Sequence, residues 1–162
     1  MLKTLTAAAL CCATLATASA LAGGTSSVGV PNPASVLCVD LDGNLATLNF
    51  PEGQVGVCNL SGGLIDEWTL FRSVSLGEST QAVRLFLEHL APLPPSPCSD
   101  GAFCLPNPAS SYCRQLGGQS AQPSDGGASL CRFPDRSAIE EWTLFQGPDV
   151  HIRLATILRG QG

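Results

Sequence analysis

The sequence predicts an α+β protein built from two tandem small modules, each a helix, a β-hairpin and a second helix stapled by a disulfide. Three observations support this prediction. One unit of sequence occurs twice, cysteines recur at equivalent positions of the two copies, and helical and strand-like patterns alternate in the same order in both. Elements in that order are typical of small α+β folds.

The N-terminal segment 1–22 has the pattern of a secretory signal peptide. Lys3 precedes an apolar stretch from Leu5 to Leu15, and small residues then allow cleavage after Ala20 or Ala22. We therefore expect an exported protein. Its mature chain should have no transmembrane segment, because no later apolar run approaches the roughly 20 residues that a spanning helix needs.

The remainder of the chain contains one unit twice. The segments Pro31–Ser35 and Glu67–Phe71 recur, in the same order, as Pro106–Ser110 and Glu141–Phe145. Such repetition predicts two copies of one folded unit. The expected division is a first module over 28–76, a helix and proline-rich linker over 77–97, and a second module with a C-terminal tail over 98–162.

Each module begins with an Asn-Pro pair, which fits an N-cap followed by the first helical position. The two pairs are Asn32–Pro33 and Asn107–Pro108. Apolar residues then recur at helical spacing and place Cys38 and Cys113 on the buried side of each helix. Gly43 and Gly117 follow, where a left-handed residue would end each helix.

A hairpin is predicted after each first helix. In the first copy the strand-like segments are Leu45–Phe50 and Gln54–Leu60, and in the second they are Gln119–Gln122 and Ala128–Phe133. Glycine-rich turns separate the members of each pair, as expected for hairpins.

The segments Glu67–Phe71 and Glu141–Phe145 are predicted to be helices. Ser137 and Glu140 have capping-box spacing before the second of them. The tryptophan, threonine and phenylalanine in these segments favour strands, so a strand is the alternative.

Two further segments are less regular. Glu78–Leu90 has apolar residues at helical spacing, and the prolines from Pro92 to Pro97 predict a stiff extended linker. The apolar tail Val150–Leu158 fits either a helix or a strand.

Disulfides are the expected state of the cysteines, because an exported chain meets an oxidising environment. Equivalence of the two copies predicts one bridge in each, and the two cysteines without a counterpart then pair with each other. The predicted bridges are Cys38–Cys58, Cys113–Cys131 and Cys98–Cys104. A thiolate metal site is the alternative, but the chain lacks the Cys-x2-Cys pairs of structural zinc sites.

Nothing in the sequence predicts catalysis, a metal or a cofactor. His89 and His151 lie outside the duplicated segments, and no nucleophile motif accompanies them. The acid pairs Asp66–Glu67 and Glu140–Glu141 fit helix starts better than a catalytic pair. The net charge is −5 and Lys3 is the only lysine, which excludes nucleic-acid binding.

Trp68 and Trp142 occupy the same position of the two copies. We expect each to anchor the core of its module, because a tryptophan supplies much of the apolar area of so small a unit. The alternative is a partly exposed aromatic surface that binds a partner.

The repeated motif resembles a family of small bacterial exported domains of unknown function, whose members are often labelled as haemolysins. The second copy carries Tyr112–Cys113, Gly117–Gly118, Cys131 and Glu140–Trp142 of that motif, while the first has Leu37 in place of the tyrosine. The resemblance implies a bacterial periplasmic or secreted location, and it implies no activity.

The leading hypothesis is a non-enzymatic exported protein that binds an unknown protein or a component of the cell envelope. A secreted peptidase inhibitor is the alternative, with Pro51–Gly53 and Pro134–Arg136 as inhibitory loops. A membrane-lytic toxin is less favoured, because the amphipathic segment Glu78–Leu90 is short and basic residues are scarce.

Overall fold

The computed structural model of this protein describes residues 31–92 and 107–160. The predicted signal peptide 1–22, its cleavage after Ala20 or Ala22, and the predicted Cys98–Cys104 bridge all lie outside the described residues.

Helices and strands alternate along the chain in the predicted order, with one additional strand in each repeat. The elements are α1 (Pro33–Asp40), β1 (Asn44–Phe50), β2 (Gly53–Leu60), β3 (Gly63–Asp66), α2 (Glu67–Ser75), α3 (Gln81–Glu88), α4 (Pro108–Gln115), β4 (Gln119–Ala121), β5 (Leu130–Arg132), β6 (Ala138–Glu140), α5 (Glu141–Gln146) and α6 (Ile152–Arg159). The predicted helices after the Asn-Pro pairs are confirmed, and each proline lies at the start of its helix.

The two repeats share one antiparallel sheet. In the described part of the chain this sheet has six strands in the order β1-β2-β3-β6-β5-β4, so the repeats meet at the β3–β6 pair. At that pair Ile65 lies opposite Ile139, the residue at the same position of the other repeat. The repeats are therefore related by a local two-fold axis between these residues.

Side-chain hydrogen bonds follow the same symmetry. The Ala138 N–H donates to Thr69 Oγ1 at 2.9 Å, and the Leu64 N–H donates to Thr143 Oγ1 at 3.0 Å. Each threonine lies on the helix after the third strand of its own repeat and accepts a hydrogen bond from the third strand of the other. The repeats are thus joined by exchanged polar contacts as well as by packing.

The short strands β3 and β6 extend each expected hairpin to three strands. Both strands are too short for their sequences to show the alternation of apolar and polar residues that is typical of strands. They form because each pairs with a neighbouring strand on both sides.

The capping box predicted at Ser137 is wrong. Glu140 caps α5, and Ser137 lies in the turn before β6.

The prediction that Gly43 ends α1 as a left-handed residue is also wrong. Asp42 adopts the left-handed conformation after α1, with φ of 53°, and Gly43 does not. Gly117 does end its helix as predicted, with φ of 80°. An aspartate tolerates this conformation better than most residues, so the first helix ends without a left-handed glycine.

The face of the sheet that carries the helices contains the main core. Ile65, Ile139, Leu70 and Leu144 are fully buried there, together with Cys38, Cys58, Cys113 and Cys131. The helix α3, from the segment predicted to be helical between the modules, inserts Phe86 into this core. The tail is a helix, α6, which also packs there.

The opposite face curls around a second, smaller core. Phe50, Val57, Leu130 and Ala138 are buried in it. The curl brings the edge strand β1 to the loop between β4 and β5, where the Ser124 N–H donates to the Asn49 carbonyl at 2.7 Å. Within 31–92 and 107–160, no helix combines the length and apolar composition required to cross a membrane.

Candidate functional site

Each repeat contains the disulfide that its sequence predicts. Cys38 is bonded to Cys58 and Cys113 to Cys131, with Cα atoms 5.7 and 5.6 Å apart. Both bridges join the first helix of a repeat to its second strand. A cross-link of this kind restricts the unfolded chain and so stabilises a small fold.

A glycine lies directly against each bridge. A Cβ atom on Gly43 would lie 2.8 Å from Cys38 Sγ, and one on Gly118 would lie 2.9 Å from Cys113 Sγ. These distances are too short for a side chain. The glycine after each first helix is therefore required by space, in both repeats.

The Asn-Pro start of α1 is fastened to α2 by the carboxylate of Glu67. Asn32 Nδ2 donates to Glu67 Oε1 at 2.7 Å, and Ser35 Oγ donates to Glu67 Oε2 at 2.6 Å. Asn32 also caps α1, since its Oδ1 accepts from the Ala34 N–H at 3.1 Å. One asparagine thus caps one helix and holds the start of another.

The second repeat contains a less complete version of this contact. Ser110 Oγ donates to Glu141 Oε2, and Asn107 Oδ1 caps α4 by accepting from the Ala109 N–H. Glu141 is fully buried, and its Oε1 has no hydrogen-bond partner among the described residues. We refer to Asn32, Ser35 and Glu67, and to Asn107, Ser110 and Glu141, as the two carboxylate clamps.

The acid that precedes each clamp carboxylate caps its helix, as the sequence predicts. Asp66 Oδ1 accepts from the Thr69 N–H at 2.7 Å, and Glu140 Oε2 accepts from the Thr143 N–H at 2.6 Å. Burial raises the pKa of Asp66. The sequence analysis missed the different role of the second acid in each pair. The recurrence of Ser35 and Ser110 in the repeated motif is the signal that could have revealed it.

Both tryptophans lie at the surface, so the prediction that they anchor the core is wrong. Trp68 is 46% exposed and Trp142 is 43% exposed. Each follows a buried clamp carboxylate, and the turn of an α-helix of about 100° per residue directs the next side chain away from the core. The cores are filled by smaller residues instead.

Neighbouring aromatic rings hold the tryptophans in place. Trp68 packs edge-to-face on Phe71 with ring centroids 5.7 Å apart, and Trp142 packs in the same way on Phe145 at 5.6 Å. Neither indole N–H forms a hydrogen bond in the part of the chain described. Each repeat therefore presents a fixed indole ring with a donor available to a partner.

The two histidines form hydrogen bonds away from the carboxylate clamps. His89 Nε2 lies 3.0 Å from the Phe145 carbonyl, and His151 Nε2 lies 3.0 Å from Gln146 Oε1. Burial lowers the pKa of His151, and the charge of Glu140 partly opposes this change. No group of His, Cys, Asp and Glu side chains within 31–92 and 107–160 is arranged to hold a metal ion.

The two loops considered for peptidase inhibition lie at the same end of the sheet. Glu52, in the first loop, forms an ion pair with Arg132, which lies on β5 two residues before the second loop. The second loop is held by Asp135, whose Oδ2 accepts from the Gln81 N–H at the start of α3 at 2.6 Å. The curl of the sheet, which the sequence does not reveal, brings these loops together.

Comparison with known families matches two segments of the chain, 29–74 and 104–148, to a single family. Each segment contains one disulfide, one carboxylate clamp and one of the tryptophans. Comparisons with curated proteins and with solved structures gave no match. Because the matched segments cover more than half of the sequence, the chain belongs to the family described as Domain of unknown function (DUF333), and it carries two copies of that domain.

Proposed function

We propose that this protein is an exported, non-enzymatic binding protein that recognises an envelope component or an extracellular protein through Trp68 and Trp142. The observation that carries this proposal is that both tryptophans are about half exposed at the same position of the two repeats. Tryptophan is among the residues that contribute most to binding energy at protein surfaces.

The surroundings of the tryptophans favour binding. The carboxylate clamps fix the helix starts that carry them, and the edge-to-face contacts with Phe71 and Phe145 restrict their rotamers. A side chain that is already ordered loses little conformational entropy when a partner binds. The indole N–H can also donate to that partner.

Export is supported by two independent features. The disulfides Cys38–Cys58 and Cys113–Cys131 are typical of oxidising compartments, and residues 1–22 have the pattern of a signal peptide. A bacterial periplasmic or secreted location is therefore part of the proposal.

Co-sedimentation with purified peptidoglycan and with outer-membrane vesicles tests this function. We expect the mature protein to sediment with one of them, and we expect the double variant Trp68→Ala, Trp142→Ala to bind at least about tenfold more weakly. Ile152→Ala is the matched control, because Ile152 is an apolar side chain that is 67% exposed on α6. Equal binding by the double variant contradicts the role of the tryptophans, and failure of the wild type to sediment with either material contradicts an envelope component as the partner.

Intrinsic fluorescence gives a direct second measurement, because the chain has only 2 tryptophans. Binding should protect both from quenching by acrylamide. The variants Trp68→Phe and Trp142→Phe each leave one reporter and separate the contributions of the two repeats. Unchanged quenching in the bound state would contradict a role for these side chains.

A peptidase inhibitor is the second candidate. The position of Pro51–Gly53 and Pro134–Arg136 at one end of the sheet, each held by contacts outside its own loop, favours it. Incubation with a panel of serine, cysteine and metalloproteases tests this function. No slowing of any protease would reject it.

A further inference from the structure

The curled sheet forms a half-open cavity beside the second loop. It has a volume of about 330 Å³ and is lined by Val55 and Asp66 from the first repeat and by Arg132, Phe133, Arg136 and Ala138 from the second. Pockets that bind small molecules begin at about this size. The cavity forms only because the repeats share one sheet, since each supplies part of its wall.

Arg132 has an unsatisfied donor here. Its guanidinium carbon lies 4.1 Å from the centroid of the Phe50 ring, and its Nη1 is paired with Glu52. Its Nη2 is buried and has no partner among the described residues. A buried donor without an acceptor costs free energy, more so when it is charged. Because this atom is closed off from solvent, the acceptor of a ligand reaches it only when the guanidinium turns toward the cavity, and that contact would remove the cost.

Arg136 is the second cation of the cavity. Its backbone adopts the left-handed conformation, with φ of 64°, in the turn closed by the hydrogen bond from the Arg136 N–H to the Phe133 carbonyl. Glycine adopts this conformation without steric cost and arginine does not. The guanidinium forms no ion pair or hydrogen bond within the described part of the chain, so the turn itself gives no reason for an arginine.

The cationic character is confined to one repeat. Cys58 and Cys131 occupy equivalent positions, so the first-repeat counterparts of Arg132 and Phe133 are Asn59 and Leu60. The corresponding turn of the first repeat contains Ser61 and Gly62 and no basic residue. The local two-fold symmetry of the fold is therefore broken at this cavity.

The lining also specifies the rest of a ligand. Val55, Phe133 and Ala138 form apolar walls. Asp66 uses its Oδ1 to cap α2, while its Oδ2 has no hydrogen-bond partner among the described residues and can accept a hydrogen bond from a ligand. Glu52 already pairs with Arg132, so Arg136 is the guanidinium of the lining that has no carboxylate partner among the described residues.

We propose that this cavity binds a small carboxylate that bears an apolar group, with the carboxylate on Arg132 and Arg136 and the apolar group against Val55, Phe133 and Ala138. Guanidinium groups form strong charge-assisted hydrogen bonds with carboxylates. This site is separate from the tryptophan surfaces, so the two proposals can fail independently.

Calorimetric titration of the full, oxidised protein with 3-phenylpropanoate tests the proposal, with 3-phenylpropanamide as the neutral analogue. We expect the carboxylate to bind with a dissociation constant of about 1 mM or lower and the amide to bind at least about tenfold more weakly. Phenylalanine adds an ammonium group, which can donate a hydrogen bond to Asp66. If phenylalanine binds more tightly than 3-phenylpropanoate, the ammonium group lies against Asp66. Binding of either carboxylate supports the site.

The decisive variant is Arg136→Gly, which removes the cation and relieves the left-handed backbone, so its folding is not endangered. It should weaken carboxylate binding at least about tenfold, whereas Arg114→Gln, which removes an exposed arginine from α4, should leave it within about twofold. The absence of binding by the wild type, equal binding of the amide, or unchanged affinity in Arg136→Gly would each overturn the proposal.

Discussion

Ile65 and Ile139 lie directly opposite each other in the antiparallel β3–β6 pair, although they occupy the same position of two repeats. A residue meets its own counterpart in this way at the two-fold axis of a symmetric dimer. The two repeats thus form an internal counterpart of a homodimer, with a common core that includes both isoleucines.

The threonines beside this axis should couple the stabilities of the two repeats. Thr69→Val removes the acceptor of the Ala138 N–H, which is buried, and a contact to Asp66. We expect a loss of about 1–3 kcal/mol in the free energy of unfolding, with one cooperative urea transition in wild type and variant. Thr156→Val is the control, because its exposed hydroxyl donates to the Ile152 carbonyl within α6. Two separate transitions would contradict the shared core.

The glycines beside the disulfides should not tolerate a methyl group. Gly43→Ala and Gly118→Ala would each place a Cβ within contact distance of the sulfur atoms, and we expect each to cost about 1–3 kcal/mol through overpacking. Thermal unfolding of the oxidised proteins measures this. Gly160→Ala is a matched control, because its nearest neighbour would lie 3.4 Å from the new Cβ. Unchanged melting temperatures in the first two variants would show that the bridges can move.

The two carboxylate clamps should respond differently to the same substitution. Glu67→Gln places an amide N–H₂ against one of two donors, Asn32 Nδ2 or Ser35 Oγ, and should cost about 1–3 kcal/mol. Glu141→Gln keeps the acceptor for Ser110 and replaces the buried oxygen that has no described partner, so it should cost less. Urea unfolding of both variants measures the two losses in unfolding free energy. Equal losses would contradict the difference between the two clamps.

Stability should depend on the protonation of His151. Burial lowers its pKa in the folded state, so the unfolded chain binds the proton more tightly. The stabilisation is therefore fully present above the unfolded pKa of about 6.5 and is lost as pH falls toward the folded pKa.

The variant His151→Gln, which can still hydrogen-bond Gln146, measures this dependence. The difference in unfolding free energy between wild type and variant should remain constant between pH 7.5 and 8.5. The wild type should lose stability relative to the variant as pH falls from 6.5 to 5.5. A constant difference across the whole range would contradict the assignment.

Features with a local cause could be predicted from the sequence. The helix starts at Asn32–Pro33 and Asn107–Pro108 follow from capping chemistry, which acts within one turn. The disulfide in each repeat follows from the equivalence of the copies. The caps Asp66 and Glu140 follow from the position of acids at a helix start.

Features that depend on distant segments could not be predicted. The role of Glu67 depends on Asn32 and Ser35, which lie on another helix. The exposure of Trp68 and Trp142 depends on which side of each helix packs against the sheet. The large apolar area of a tryptophan favours burial only when the residue lies on that side. The cavity beside Arg136 depends on the curl of a sheet to which both repeats contribute.

The sequence by itself therefore determined the duplication, the covalent link within each repeat and the order of most elements, because repetition, capping and spacing are properties of neighbouring or equivalent residues. Only the tertiary structure decided that the repeats share one sheet through Ile65 and Ile139, that the tryptophans face solvent, and that Arg132 and Arg136 line one cavity. Short strands such as β3 and β6 form when their hydrogen-bonding groups find partners on both sides, and those partners come from parts of the chain that no local pattern identifies.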